Sequence, residues 1–131
     1  AVGTPQYMPP EQAQGKSVDH RADLYAIAAI AFRAITGQPP FVGEEIGPLL
    51  LDVLYTQPPQ PGRFAKIPVD VELVLAIALA KQPDERFDCV EDLAQALRLA
   101  STGDLDEATR ARGWQLVKQY PWGSTRRRAK A

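Results

Sequence analysis

The sequence predicts an all-α protein. Three observations carry that expectation: apolar residues recur at helical spacing in four separate stretches, no convincing alternating strand intervenes, and proline- and glycine-rich segments separate the stretches. A chain of 131 residues with 45% hydrophobic residues has the length of one domain and enough apolar content for a real core. No internal repeat is visible.

Residues 1–18 hold three prolines and two glycines and read as an extended, ordered loop. Asp19 or Ser17 then caps a helix reaching about Thr36, with Gly37 as its stop before Pro39. Within it, residues 24–32 leave no polar face. A helix apolar all round must be covered on all sides, so this one is expected at the centre of the core. The same run is too short to span a bilayer.

A second helix follows over 44–56, presenting Leu49, Leu50, Val53 and Leu54. Residues 57–62, with three prolines, read as a stiff connection rather than a recognition peptide. Asp70 is expected to cap a third helix over 71–81, with Leu73, Val74, Ile77 and Ala80 on one side. Asp88 and Glu91 resemble a capping box opening a fourth, which runs to about Ala100 and presents Val90, Leu93, Ala94 and Leu97. Beyond the break at Ser101, Thr102 and Gly103, Asp104 or Asp106 starts a tail helix toward Tyr120. Trp114, Leu116, Val117 and Tyr120 are its candidate packing residues. Gly113 weakens it by about 1 kcal/mol relative to alanine.

The formal charge of −1 conceals an asymmetry. Residues 110–131 carry seven Lys or Arg and no acid, which leaves 8 basic against 16 acidic side chains before them, a net of −8. Such a basic end suits a solvated tail or one lying near an anionic membrane surface. Nucleic-acid stacking by Trp122 beside the arginines is the weaker reading, and packing of the tail the better one. Cys89 is the single cysteine, which excludes a disulfide framework or a Cys-based zinc site and fits a reducing compartment. Its expected role is a half-buried structural thiol. The start lacks Met and a basic or apolar leader, so residue 1 reads as a boundary in a longer sequence.

Three ordered blocks carry a family resemblance. Gly3-Thr4-Pro5-Gln6-Tyr7-Met8-Pro9-Pro10-Glu11-Gln12 resembles the end of a protein-kinase activation segment, most closely the bacterial serine/threonine type, with Pro9 in place of alanine. Asp19 to Tyr25, closed by Ile35-Thr36-Gly37-Gln38-Pro39-Pro40-Phe41, resembles the family's long central helix and its exit. Ala80-Lys81-Gln82-Pro83-Asp84-Glu85-Arg86-Phe87 resembles the Lys-x-Pro-x-x-Arg turn near the end of the C-terminal lobe. The match covers residues 3–100, less than half of a kinase domain. The resemblance thus implies a partial kinase C-terminal lobe over 1–100: about four core helices behind an extended N-terminal loop. Residues 101–131 form a basic extension of the kind that leads to a membrane helix in many bacterial receptor kinases.

What the family implies for site residues follows residue by residue. Thr4 matches the hydroxyl that hydrogen-bonds toward the catalytic Asp and Lys, while Gly3, Pro5 and Tyr7 match the loop that shapes the peptide pocket. Glu11 and Arg86 match a buried pair that staples the activation segment to the final helices. Asp23 matches the helix-start carboxylate that orders the catalytic loop; with that loop outside the chain, it is expected to be solvated or locally paired. In such enzymes a Gly-rich loop, a strand lysine, a catalytic-loop Asp and a magnesium-binding Asp do the chemistry. None is encoded here, and His20-Arg21-Ala22-Asp23 carries one residue too many to be the catalytic His-Arg-Asp. Neither a catalytic residue nor a cofactor or metal site is therefore expected in this chain.

ATP and magnesium belong to the intact parent, and the isolated chain is expected to be inactive. Its expected partners are a protein or peptide substrate, the missing N-terminal lobe and the upstream C-lobe helices. Without those helices an apolar patch around Leu24, Ile27, Ile30 and Ala31 should be exposed and promote self-association. The resemblance implies a cytoplasmic setting, including the cytoplasmic side of a membrane-anchored parent. The alternative reading is a non-enzymatic, truncated or pseudokinase-like binding module, for which Pro9 is the sequence support.

Overall fold

The computed structural model describes residues 5–126. Six helices make up its regular structure: α1 (Pro10–Ala13), α2 (His20–Thr36), α3 (Ile46–Tyr55), α4 (Val69–Ala78), α5 (Val90–Ser101) and α6 (Glu107–Gln119). Among the described residues there is no strand, only an isolated antiparallel bridge between Thr56 and Thr125. The all-α expectation holds.

The start of the chain is less extended than its prolines suggest. A 3-10 turn at Pro5–Tyr7 and the single turn of α1 interrupt it, because proline, whose fixed φ breaks a long helix, suits the first position of a short one.

Helix α2 begins and ends where its sequence says. The Asp19 carboxylate accepts the Arg21 N–H at 2.9 Å, and Gly37, at φ +87°, turns the chain out of the helix while its N–H reaches the Arg33 carbonyl. Its burial meets the expected exposed patch at Ile27 and Ile30 but not at Leu24, which is buried. Leu24, Tyr25, Ala28, Ala29 and Phe32 are buried, but Ile27 and Ile30 remain 42% and 57% exposed.

The helix wrapped on every side is α4. Val71, Leu73, Val74, Leu75, Ile77 and Ala78 are all buried, with α2, α5, α6 and the 3-10 turn at Pro61–Arg63 packed around them. Glu72 tolerates this position because its carboxylate accepts the Gly62 N–H at 2.8 Å and the Gln60 amide at 3.2 Å. A buried polar group costs little once its partners are supplied by the fold.

Two caps expected from sequence are not made. Pro68, not Asp70, precedes α4, and Asp70 is engaged instead by Arg110 of α6 through two hydrogen bonds of 2.9 Å. Cys89, not Asp88, precedes α5 without any side-chain cap, and the Asp88 carbonyl lies 2.7 Å from His20 Nε2. The buried stripe of α5 is Leu93, Ala96 and Ala100, so Val90 and Ala94 face outward.

Packing continues past residue 100. Asp106 caps α6 by accepting the Thr109 N–H at 3.0 Å, and Leu105 and Leu116 join the main core, with Tyr120 and Trp122 packed against it. Trp114, by contrast, points outward at 51% exposure. A strap from Pro121 then runs beside the exit of α3: Gly123 N–H bonds the Pro58 carbonyl, Gln57 N–H the Ser124 carbonyl and Arg126 N–H the Tyr55 carbonyl, at 2.7 to 2.9 Å.

Candidate functional site

The best-built polar feature is the junction at Arg86. This side chain is 1% exposed, yet each of its five N–H groups has an acceptor. Nε donates to the Ala80 carbonyl at 2.7 Å; Nη1 donates to Glu11 Oε2 at 2.7 Å and to the Arg21 carbonyl at 3.0 Å; Nη2 donates to Glu11 Oε1 at 2.8 Å and to the Lys81 carbonyl at 3.3 Å. The face of Tyr25 completes the enclosure at 5.0 Å. A guanidinium has five donors in a fixed fork, so this inventory is complete.

The geometry explains why helix α4 stops at Ala78. Residues 79–82 must leave the helix so that the Ala80 and Lys81 carbonyls can turn toward the Arg86 fork. The 3-10 turn at Pro83–Glu85 then brings Arg86 back under them. On the other side, Glu11 is 6% exposed and sits in the first turn of α1. Burial by itself would raise its pKa, but the Arg86 hydrogen bonds and positive charge outweigh that and hold the carboxyl below its ordinary value. Arg86 therefore joins three otherwise separate parts: the N-terminal loop, the first turn of α2 and the segment leaving α4.

The other sequence-predicted residues are placed differently. Pro5 opens the 3-10 turn that rests between α2 and α3. Tyr7 packs against the main core, and its hydroxyl accepts a 2.9 Å hydrogen bond from Arg33 Nη1 near the end of α2. Asp23 is exposed on the same open face of α2 as Ile27 and Ile30. Gly3 and Thr4 lie outside the described residues.

Lys81 is a participant that spacing alone does not single out. Its Nζ donates to the Val53 carbonyl at 2.7 Å and the Asp52 carbonyl at 3.3 Å, at the C-terminal end of α3, with the Phe41 ring 4.9 Å away. Burial pushes its pKa down to about 7, while the carbonyls at a helix C-terminus and the ring face favour the charged form. Its geometry is that of a cap linking the Arg86 turn to α3. The only sequence signal for it was its place in the Lys-x-Pro-x-x-Arg block.

Among the described residues, a cavity of about 60 Å³ lies between Leu79, Leu116, Tyr120 and Trp122, and a more open one of about 340 Å³ lies beside Gln57, Gln119, Tyr120, Ser124, Thr125 and Arg126. No three His, Cys, Asp or Glu side chains gather into a metal-ligating group among the described residues. No described helix is long and apolar enough to cross a membrane.

Comparisons with known proteins agree with this reading of the architecture. No protein-family model matches the chain. Individual relatives do: the serine/threonine-protein kinase Pkn1 of Myxococcus xanthus is 40% identical over 100 residues, covering 76% of this chain and 14% of that protein. The kinase PknF of Mycobacterium tuberculosis is 42% identical over 108 residues, covering 81% of this chain and 23% of that protein. Among solved structures, the PknI kinase domain of Mycobacterium tuberculosis superposes with a TM-score of 0.62 at 34% identity, over 78% of this chain and 38% of that one. The chain thus spans less than a quarter of these curated relatives and somewhat over a third of a kinase domain. Its helices, the Arg86 junction and these matches together make the chain a distal part of the C-terminal lobe in the family of bacterial-type serine/threonine protein kinases.

Proposed function

We propose that this chain is the substrate-side portion of a longer serine/threonine protein kinase, whose intact form transfers the γ-phosphoryl group of ATP to serine or threonine on a protein. The carrying observation is the buried, two-pronged Glu11 and Arg86 pair. Its role in that enzyme is to fix the end of the activation segment onto the helical lobe, so that the loop carrying Pro5 and Tyr7 presents a wall to an extended peptide, a role the resemblance also gives to Gly3 and Thr4. Phosphoryl transfer depends mainly on positioning and charge stabilisation, which makes a rigid substrate wall a contribution to rate as well as to selectivity.

The Gly-rich loop and the magnesium-binding Asp that the resemblance associates with ATP and magnesium have no match in this sequence. Those groups are assigned to the parent's upstream portion, and no chemical step is assigned to this one. The exposed Ile27 and Ile30 face of α2 is where upstream C-lobe helices would pack. Without them the same face supports self-association. Cytoplasmic placement is supported by the single, unpaired-by-sequence Cys89 and by the kinase's need for ATP. The basic end suits the neighbourhood of an anionic membrane, although residues 127–131 lie outside the described part.

The test is phosphoryl transfer from radiolabelled ATP to a mixed serine and threonine peptide set. The full gene product is expected to label the peptides and the isolated chain to leave them unlabelled. Transfer by the isolated chain, or none by the full product under any magnesium or manganese condition, overturns the proposal and favours a binding module.

A further inference from the structure

The Arg86 junction has a second layer of support that comes from α6, beyond the segment that carries the family motifs. Arg112 Nη2 donates to the Glu85 carbonyl at 2.7 Å and also bonds the Arg86 carbonyl, while its guanidinium lies over the Phe87 ring at 5.6 Å. These are the two peptide groups that aim the Arg86 side chain. Arg86 itself is extended, at φ −82° and ψ 178°, immediately after a 3-10 turn, so no helical hydrogen-bond ladder holds it there. What fixes its backbone is the turn on one side and Arg112 on the other.

The loop on the far side is correspondingly dependent. Glu11 contributes the acidic half of the pair, and the amides around it are tied by short-range bonds: Gln12 and Ala13 N–H to the Pro9 carbonyl, Gln14 N–H to Pro10 and Lys16 N–H to Glu11 itself. A one-turn helix is not stable alone. Its order relies on being pinned through Glu11.

We infer that Arg112 is a positioning residue through which α6 holds Arg86 on Glu11, so that the C-terminal helix sets how firmly the loop at residues 5–16 is formed. A second arginine of the same helix provides the contrast. Arg110 bonds Asp70 at the start of α4, Glu107 beside it and the Leu105 carbonyl, and none of these hydrogen bonds reaches the Arg86 turn. Removing Arg110 loosens α6 from α4; removing Arg112 loosens the turn that carries the anchor. The link is a property of this fold. Only its consequence for substrate rests on the reading of the loop given above, and the experiment reads the link without phosphoryl transfer.

The experiment is amide hydrogen exchange on the chain, comparing Arg112→Met, which keeps an apolar stem and removes the donors, with Arg110→Met. In Arg112→Met the amides of residues 12–16 are expected to exchange about tenfold faster or more, with α5 amides unchanged, as for a local opening. Arg110→Met is expected to leave residues 12–16 at the native rate relative to α5. Arg112→Lys, which restores a donor, is expected to fall between native and Arg112→Met, and it carries the comparison if Arg112→Met does not fold. Native exchange of residues 12–16 in the Arg112 variants, or equal loosening in the Arg110 variant, overturns the inference.

Discussion

Gly113 lies against Leu73 so closely that a β-carbon at position 113 would stand 2.7 Å from the Leu73 Cβ and 3.0 Å from its carbonyl oxygen. Glycine is therefore the residue that lets α6 settle onto α4. Helix propensity alone favours alanine there by about 1 kcal/mol, but overpacking a tight contact against a main chain costs typically about 1–3 kcal/mol. Gly113→Ala is expected to lower the urea midpoint without changing the denaturant slope. A raised midpoint would show that α6 is not held this closely.

Breaking the Glu11 and Arg86 pair strands a buried charge. Glu11→Ala leaves the Arg86 fork with two donors unfilled at a site that water hardly reaches. The expected loss is about 3–5 kcal/mol in equilibrium unfolding, the range for removing one partner of a buried pair. A loss below about 1 kcal/mol, the level of an exposed pair, would mean that the junction is solvated.

Acid should act through the same carboxylate. Glu11 has a folded-state pKa below the ordinary 4.5, so the unfolded chain binds its proton first as pH falls. The stabilisation is fully present above the unfolded value and is lost as pH drops through the folded one. In Glu11→Gln, which carries no such proton, the stability difference from the native chain is expected to be constant at neutral pH and to shrink below pH 4.5. A difference that stays constant to the acid transition would contradict the pairing.

The open face of α2 gives a prediction about the isolated chain. Ile27 and Ile30 are exposed one turn apart, whereas Leu24 is buried and takes no part in the patch. The chain is expected to bind an apolar dye or self-associate, and the double change Ile27→Ser with Ile30→Ser should reduce both without lowering stability, since neither side chain is buried. A native chain that is monomeric at high concentration and silent to the dye would overturn this.

Local chemistry was legible in the sequence where one residue decides it. Asp19 and Gly37 bound α2 because a short acceptor side chain and a left-handed turn are local requirements. Burial was less legible. The apolar run of α2 suggested the central helix, yet α4, which carries Asp70 and Glu72, is the one enclosed. Its two acids are satisfied by groups from distant segments, Asp70 by the charge and hydrogen bonds of Arg110 and Glu72 by hydrogen bonds from Gly62 and Gln60. For the same reason Asp70 looked like a cap and is not, whereas Asp88 is displaced from the cap position because α5 starts one residue later, after Cys89. The Arg112 contact to the Glu85 and Arg86 carbonyls had no sequence signal at all, because backbone acceptors leave no trace in residue identity.

The most direct measurement is the intact mass and N-terminal sequence of the native gene product that contains these residues. A product longer than this chain, with a Gly-rich loop, a strand lysine and a His-Arg-Asp loop upstream of Ala1, is the expected result for the substrate-side portion of a kinase. A native product that begins near Ala1 would contradict that assignment and leave a protein-binding module built on a kinase lobe.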